Sequence, residues 1–253
     1  MPATRNIGKL MVKTCETRLQ MGAEAAIDVA FRIQELLSSQ EIVNLIFAAA
    51  PSQNEFLHQL VQNKNMNWQR VNAFHMDEYV GLDQNALQLF GRFLKEKIFG
   101  QVPFRNVFYI NGSSGELEDE CTGYENLLRR FPADVVCMGI GENTHIAFND
   151  PHTAIFNDPR LVKVVTLDEA SRQQQVNDAC FTQLSEVPNT AITLTVPARI
   201  RAKFIFCIVP GKNKVMAVSQ TIHSEVTETY PSTILKTHDN AILYLDKESA
   251  SKL

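Results

Sequence analysis

Two apolar periods alternate along the chain. From Gly22 to Ser38 the apolar residues Ala26, Ile27, Ala30, Ile33, Leu36 and Leu37 fall at helical spacing. Ile42 to Ala50 is a continuous apolar run of strand length, Pro51-Ser52 breaks it, and Asn54 to Gln62 reads as a helix. The pattern then predicts a strand over Val71–Met76 that ends on Asp77-Glu78, a helix over Leu87–Phe99 and a short strand over Val107–Ile110. Asn111-Gly112-Ser113-Ser114-Gly115 is a turn, and Glu116–Arg130 is an acid-led helix. A buried strand follows at Val135–Gly139, then loop through Asp150–Pro159, strand at Val162–Leu167 and helix over Ser171–Leu184. Ala191–Val196 alternates as a strand, Phe204–Val209 is another, Lys212–Gln220 is helical, and Ala241–Leu245 is the last strand. The residues before Gly22 show no clear period.

Strands that alternate with helices imply βα units. The expected fold class is therefore α/β, a three-layer Rossmann-like domain with a largely parallel sheet and helices on both faces. No repeat, low-complexity tract or linker interrupts residues 1–253, so a single domain is expected.

Composition narrows the partners. A net charge of −4 argues against general nucleic-acid affinity, which needs a clustered basic surface. An anionic small molecule could still be held by a few basic groups that converge. No apolar run approaches the ~20 residues of a membrane span, and Met1 to Gln20 lacks a signal-peptide core, so no membrane partner is expected. The five cysteines, Cys15, Cys121, Cys137, Cys180 and Cys207, show neither zinc spacing nor a CxxC pair. Buried inert thiols and a reduced, cytoplasmic setting are the expectation.

Two stretches carry the chemistry. The first is Phe74-His75-Met76-Asp77-Glu78-Tyr79-Val80-Gly81-Leu82 and the second is Gly139-Ile140-Gly141-Glu142-Asn143-Thr144-His145-Ile146-Ala147-Phe148-Asn149-Asp150-Pro151. An apolar strand that delivers polar groups from its carboxyl end is how open α/β sheets build ligand sites. Gly139-Ile140-Gly141 is not a dinucleotide fingerprint, because position 144 is threonine instead of the third glycine. It reads as a turn that lets a substrate approach the backbone at Gly141. His145 reads either as a structural histidine or as an acid/base one. The carboxylates at Glu142 and Asp150 and the amide at Asn143 close in sequence favour the second, because a carboxylate fixes the tautomer. Asp77-Glu78 fits either a solvated turn or a general base at a strand end. Asp77, Glu78 and His145 could ligate a cation, but no spacing demands one, and no metal or cofactor is expected.

Both motifs, in this order and separation, resemble the glucosamine-6-phosphate deaminase/isomerase family, and the likeness runs from about Ile27 to Leu245. The sister 6-phosphogluconolactonases favour Asp-Glu-Arg at the first motif and His-Thr at the second, where this chain has Asp77-Glu78-Tyr79 and His145-Ile146. The resemblance implies a domain of that family over 1–253, with an amino-sugar phosphate as substrate. It implies a cofactor-free reaction in which His145 opens the sugar ring and Asp77 moves a proton from C2 to C1. Loss of ammonia then leaves fructose 6-phosphate. Asp150 matches the glutamate that orients the histidine, and Glu78 matches the acidic partner of the base. Lys214 matches a phosphate-binding lysine, and Ser52 stands where members carry a Gly/Thr-rich phosphate turn. Arg172 lies near the position of the family's phosphate arginine, but the closest alignment puts Gln175 there. Members commonly associate, which implies a homo-oligomer.

Departures from the family pattern gather around these motifs. Thr144 replaces a glycine, and its β-branched side chain resists positive φ and is expected to occupy space near the sugar. Asn143 replaces an aspartate, and Leu87 and Leu89 replace a proline and a serine. These changes point to altered specificity or weakened turnover. The competing readings are a sugar-phosphate-binding protein without turnover, and a lactonase in which His145 activates water.

Overall fold

The computed structural model describes residues 2–253. Its main sheet has eight strands in the order β1-β2-β11-β10-β7-β3-β4-β6. These are β1 (Ala3–Ile7), β2 (Leu10–Cys15), β3 (Val43–Phe47), β4 (Val71–His75), β6 (Asn106–Phe108), β7 (Val135–Met138), β10 (Phe204–Val209) and β11 (Ala241–Asp246). Every pairing in it is parallel except the β1–β2 hairpin at one edge.

That hairpin lies where the sequence showed no period. Leu10 and Val12 are buried and alternate with half-buried Met11 and Lys13, a signal too short to separate from noise. The larger departure is a second, three-stranded antiparallel sheet formed by β5 (Asp77–Tyr79), β9 (Thr190–Leu194) and β8 (Val162–Thr166). Asp77-Glu78 therefore does not simply close β4. The chain leaves the main sheet at Met76 and enters the second one, with Asp77 opposite Thr193.

Helices cover both faces, and strand alternation decides which residues meet them. Val43, Leu45, Phe47, Val135 and Cys137 pack with α1 (Arg18–Ser39), α2 (Asn54–Val61) and α3 (Phe90–Leu94). Ile46, Val136 and Met138 face the other way, against α4 (Leu117–Arg130) and α7 (Val215–His223). Thr17 caps α1, its side chain accepting from the Gln20 N–H. Ile27, counted on the apolar face of α1, is 62% exposed, and Met21, Ala25, Val29 and Ile33 make the contact instead.

Three helical spans differ from expectation. The Leu87–Phe99 span reduces to α3 followed by a π-helical turn, Lys95–Phe99. The Ser171–Leu184 span is α5 (Glu169–Asn177), capped by the Asp168 side chain at the Ala170 N–H and finished well before Leu184. A short helix, α6 (Val196–Ile200), follows β9 where the sequence suggested only the end of a strand. Pro197 in its first turn is the signal that marks it. Among the described residues no helix is long and apolar enough to cross a membrane.

The order of strands reverses between β3 and β7. The chain moves from β3 outward to β4 and β6, returns to β7, and then moves the other way to β10 and β11. Parallel sheets open a crevice at the carboxyl ends of strands at such a switch point.

Two glycines test the helix packing. A Cβ on Gly22 in α1 would lie 2.6 Å from the Glu55 Cβ and 2.8 Å from the Phe56 nitrogen in α2, whereas one on Gly123 in α4 meets nothing within 4 Å. Helix propensity favours alanine at both by ~1 kcal/mol, but overpacking costs about 1–3 kcal/mol. Gly22→Ala should therefore lower Tm and Gly123→Ala should raise it by roughly 2–4 °C, measured by thermal unfolding.

Candidate active site

The crevice holds a small cavity of about 60 Å³ lined by Asp77, His145, Ser52, Lys214, Gly141 and Gln175, among others. Four segments that follow strand ends supply it: Ala48–Ser52 after β3, Met76-Asp77 after β4, Gly139–Phe148 after β7 and Lys214 after β10. Space of this size takes a few waters, so a sugar phosphate needs the walls to part. Its outer side, at Ala49, Ala50 and Phe90, adjoins an apolar groove of about 630 Å³ that includes Leu87, Phe93, Val176 and Phe181.

His145 is fixed on three sides. Its Nδ1 lies 2.6 Å from the Asn143 Oδ1, 2.7 Å from the Ser171 Oγ and 3.3 Å from an Asp150 oxygen. The Asn143 amide nitrogen donates to the same Asp150 oxygen at 3.0 Å, so the Asn143 oxygen is the end that faces the ring and can only accept. Nδ1 therefore carries the proton, and Nε2 is left for a ligand. Asp150 is fully buried. Burial alone would raise its pKa, but hydrogen bonds from His145, Ser171 and the Asp168 N–H outweigh that and hold the carboxyl well below the usual range. A short Ser171 to Asp150 hydrogen bond closes the network.

Gly141 explains why the turn needs a glycine. A Cβ there would lie 2.1–2.3 Å from the His145 ring atoms, so any side chain would evict the imidazole. The backbone closes the same turn, with the Gly141 N–H donating to the His145 carbonyl at 2.8 Å.

Asp77 faces the cavity and is 6% exposed. Burial pushes its carboxyl up to about 7, and the neighbouring Glu78 adds to the rise, while the Arg199 guanidinium opposes it. A group poised there can both take and return a proton near neutral pH. Glu78, one residue on, points to the opposite face of β5 and lines a different, open cavity of about 750 Å³. Its carboxylate accepts from the N–H groups of Tyr79, Phe90 and Gly91 at 2.9, 3.1 and 2.9 Å, although burial still pushes it up to about 7. The buried His75, pulled down to about 3 by desolvation, stands 3.7 Å from it. Glu78 thus anchors the start of α3 and does not touch the cavity that holds Asp77.

The basic side is formed by Lys214, which is 4% exposed and, among the described residues, makes no ion pair within 4 Å. Burial pulls its ammonium below the ordinary lysine range, and only the more distant Asp178 and Glu142 offset that. Ser52 stands beside it, one turn before α2, and Lys214 itself precedes α7, so two helix N-termini open toward the same space. Arg172 is elsewhere. It donates to the carbonyls of Leu184 and Val187 and ties down the chain after α5, while Gln175 lines the cavity. Thr144 is also outside. It has φ 70 and is fully buried, with its hydroxyl unpartnered and its carbonyl accepting from the Ser232 N–H. The expected conformational conflict is present there, but not the expected obstruction of the pocket. Leu87 is 71% exposed in the outer groove, and Leu89 lines the cavity at Glu78.

Ser171 and Gln174 were not singled out from the sequence as site residues. Their signal was the Asp168 cap, which fixes the phase of α5 and turns Ser171, Gln174 and Gln175 inward at i, i+3 and i+4. Among the described residues no group of three or more His, Cys, Asp or Glu side chains is placed to hold a metal ion.

An α/β crevice with a buried carboxyl, an oriented imidazole and a buried lysine has the groups that acid–base chemistry on a small anionic molecule would need. Residues 16–244 match the family described as glucosamine-6-phosphate isomerases/6-phosphogluconolactonase, and the chain belongs to that family. The glucosamine-6-phosphate deaminases of Bacillus cereus (strain B4264) and Bacillus anthracis (strain A0248) are each 33% identical to it over 242 residues, covering 96% of this chain and 87% of theirs. A solved monomeric glucosamine-6-phosphate deaminase superposes with a TM-score of 0.86 at 28% identity, over 95% of this chain and 98% of that one. The 6-phosphogluconolactonase of Thermotoga maritima shares the fold, with a TM-score of 0.77 at 18% identity over 94% of this chain and 100% of that one.

The histidine geometry is testable without a substrate. Long-range ¹H–¹⁵N correlation spectra should show a proton on the His145 Nδ1. Gly141→Ala should abolish that pattern, because the added methyl occupies the ring's place. An Nε2-protonated ring in the unaltered protein would contradict the network.

Proposed function

We propose that this protein is an amino-sugar phosphate isomerase/deaminase that converts glucosamine 6-phosphate, or a close analogue, to fructose 6-phosphate and ammonia. The observation that carries the reading is the convergence of Asp77, His145 and Lys214, from three distant segments, on one cavity. The phosphate sits against Lys214, Ser52 and the adjacent helix N-termini, with Gln175 contributing an amide. His145 acts at the ring oxygen through Nε2, and the Asn143–Asp150–Ser171 network keeps Nδ1 protonated and steadies the cation that forms. Ring opening exposes a C1 aldehyde, which acidifies the C2 proton. Asp77 takes that proton and returns it to C1, leaving an iminium at C2. Water adds to the iminium, and ammonia departs to leave the ketone. The amine is the leaving group and the carbonyl is the electron sink, so each step is supplied by substrate and side chains.

Lactone hydrolysis at the same site would use His145 to activate water and would give Asp77 no proton to carry between carbons. A buried carboxyl lifted to about 7 suits the first chemistry. The higher identity to deaminases, 33% and 28% against 18%, supports the same choice.

Incubation with glucosamine 6-phosphate should release ammonia, and Asp77→Asn should reduce kcat by about 10²–10⁴. Acid production from 6-phosphogluconolactone without ammonia release would favour the lactonase. Binding of either sugar phosphate without turnover would favour the binding protein.

The base must be ionised to work, so kcat/KM should rise with pH up to about 7 and fall about tenfold per unit below it. A rate independent of pH between about 5 and 8 would contradict Asp77 as the base. Lys214→Met should raise KM by roughly tenfold or more with a smaller change in kcat, because it removes binding to a part of the sugar that does not react.

A further inference from the structure

The most anomalous side chain in the molecule is Arg199 in α6. It is 0% exposed, its Nε donates to the Thr195 carbonyl at 3.2 Å, and neither terminal nitrogen has a hydrogen-bond partner. A buried guanidinium with two orphan nitrogens is costly and needs a reason. Its place in the fold supplies one. β9 runs antiparallel to β5 with Asp77 opposite Thr193, and the Leu194 N–H donates to the Met76 carbonyl at 2.9 Å. The next residue, Thr195, holds the Arg199 Nε, so the guanidinium is tethered one step from the peptide that carries Asp77. It does not line the cavity, and among the described residues no carboxylate comes within 4 Å of it.

We propose, building on the function above, that Arg199 is a positioning residue for Asp77: a fixed cation behind the catalytic strand that keeps the carboxylate charged in a dry site. The other ionisable groups around Asp77 cannot take this role. Glu78 and Tyr79 on β5 and Tyr124 from α4 carry no positive charge, and the Glu78 charge works against ionisation of Asp77. The buried His75 on β4 is kept neutral by its burial. His145 and Lys214 line the cavity and are assigned to the substrate in the proposed reaction. Among the described residues Arg199 is the cation that opposes the burial of Asp77, and Asp77 is the charge that opposes the burial of Arg199. Arg199 thereby limits how far burial lifts Asp77, from a place that does not line the cavity.

A thermal double-mutant cycle at about pH 8, where Asp77 is ionised, tests the pairing without any turnover. The change in Tm caused by Asp77→Asn should be less favourable with Arg199 present than in the Arg199→Met background, by roughly 5 °C or more. Equal changes in the two backgrounds would overturn the proposal. Should Arg199→Met alone fail to fold, the double variant is expected to fold, because it buries neither charge, and its failure would also overturn the pairing.

The pH profile of ammonia release gives the second readout. Arg199→Met should move the acidic limb upward by about one pH unit or more with KM held within about threefold, and Arg199→Lys should restore most of the shift. A limb that stays in place in Arg199→Met contradicts the role. If the unaltered protein releases no ammonia, the proposed function fails while the thermal cycle still judges the pair.

Discussion

A carboxylate at the seam between two sheets is expensive to keep charged, and much of the site is arranged around that cost. Asp77 sits where the chain steps from β4 into β5, out of reach of bulk water. In such a place a carboxyl resists ionisation, and the interactions around it decide how much. Glu78 and burial push one way and Arg199 the other. Asp150, a few ångströms from His145, shows the opposite outcome in an equally dry setting. It is surrounded by donors, so it stays ionised and holds the imidazole. Two buried aspartates are thus separated in acidity by their hydrogen bonds, a common way for one site to perform distinct proton tasks.

The fold meets these needs by topology. Reversal of strand order between β3 and β7 leaves a crevice that no single segment fills, and four strand ends converge on it. Alternation along β5 then separates neighbours in sequence: Asp77 enters the crevice, while Glu78 ties the start of α3 from behind. The second sheet does more than extend the first. It brings β9 against the strand that carries Asp77, and Arg199 is tied to the chain that leaves β9.

The departures from the family pattern take on different meanings once placed. Asn143 cannot carry the charge of the aspartate it replaces, yet it has become the acceptor that fixes the His145 tautomer and a donor to Asp150. Thr144 bears a positive φ, which costs a non-glycine residue ~1–3 kcal/mol, and it does so outside the cavity. Its consequence is local strain in the turn that carries the histidine. Leu87 enlarges the apolar character of the outer groove without reaching the reacting groups.

The sequence alone determined the α/β alternation, most strands of the main sheet and the two motifs that carry Asp77, His145 and Asp150. These features are written in local periods and in motifs whose spacing is short, so adjacent residues suffice to read them. The tertiary structure decided the rest. It brought in Ser171, moved Arg172 and Thr144 out of the pocket, turned Glu78 away from the cavity and buried Arg199 beside the end of β9. In each case the deciding contact joins residues far apart in the chain, or depends on which face of a strand or helix is turned inward. A one-dimensional pattern leaves that open, because rotation of an element changes no residue but changes every neighbour.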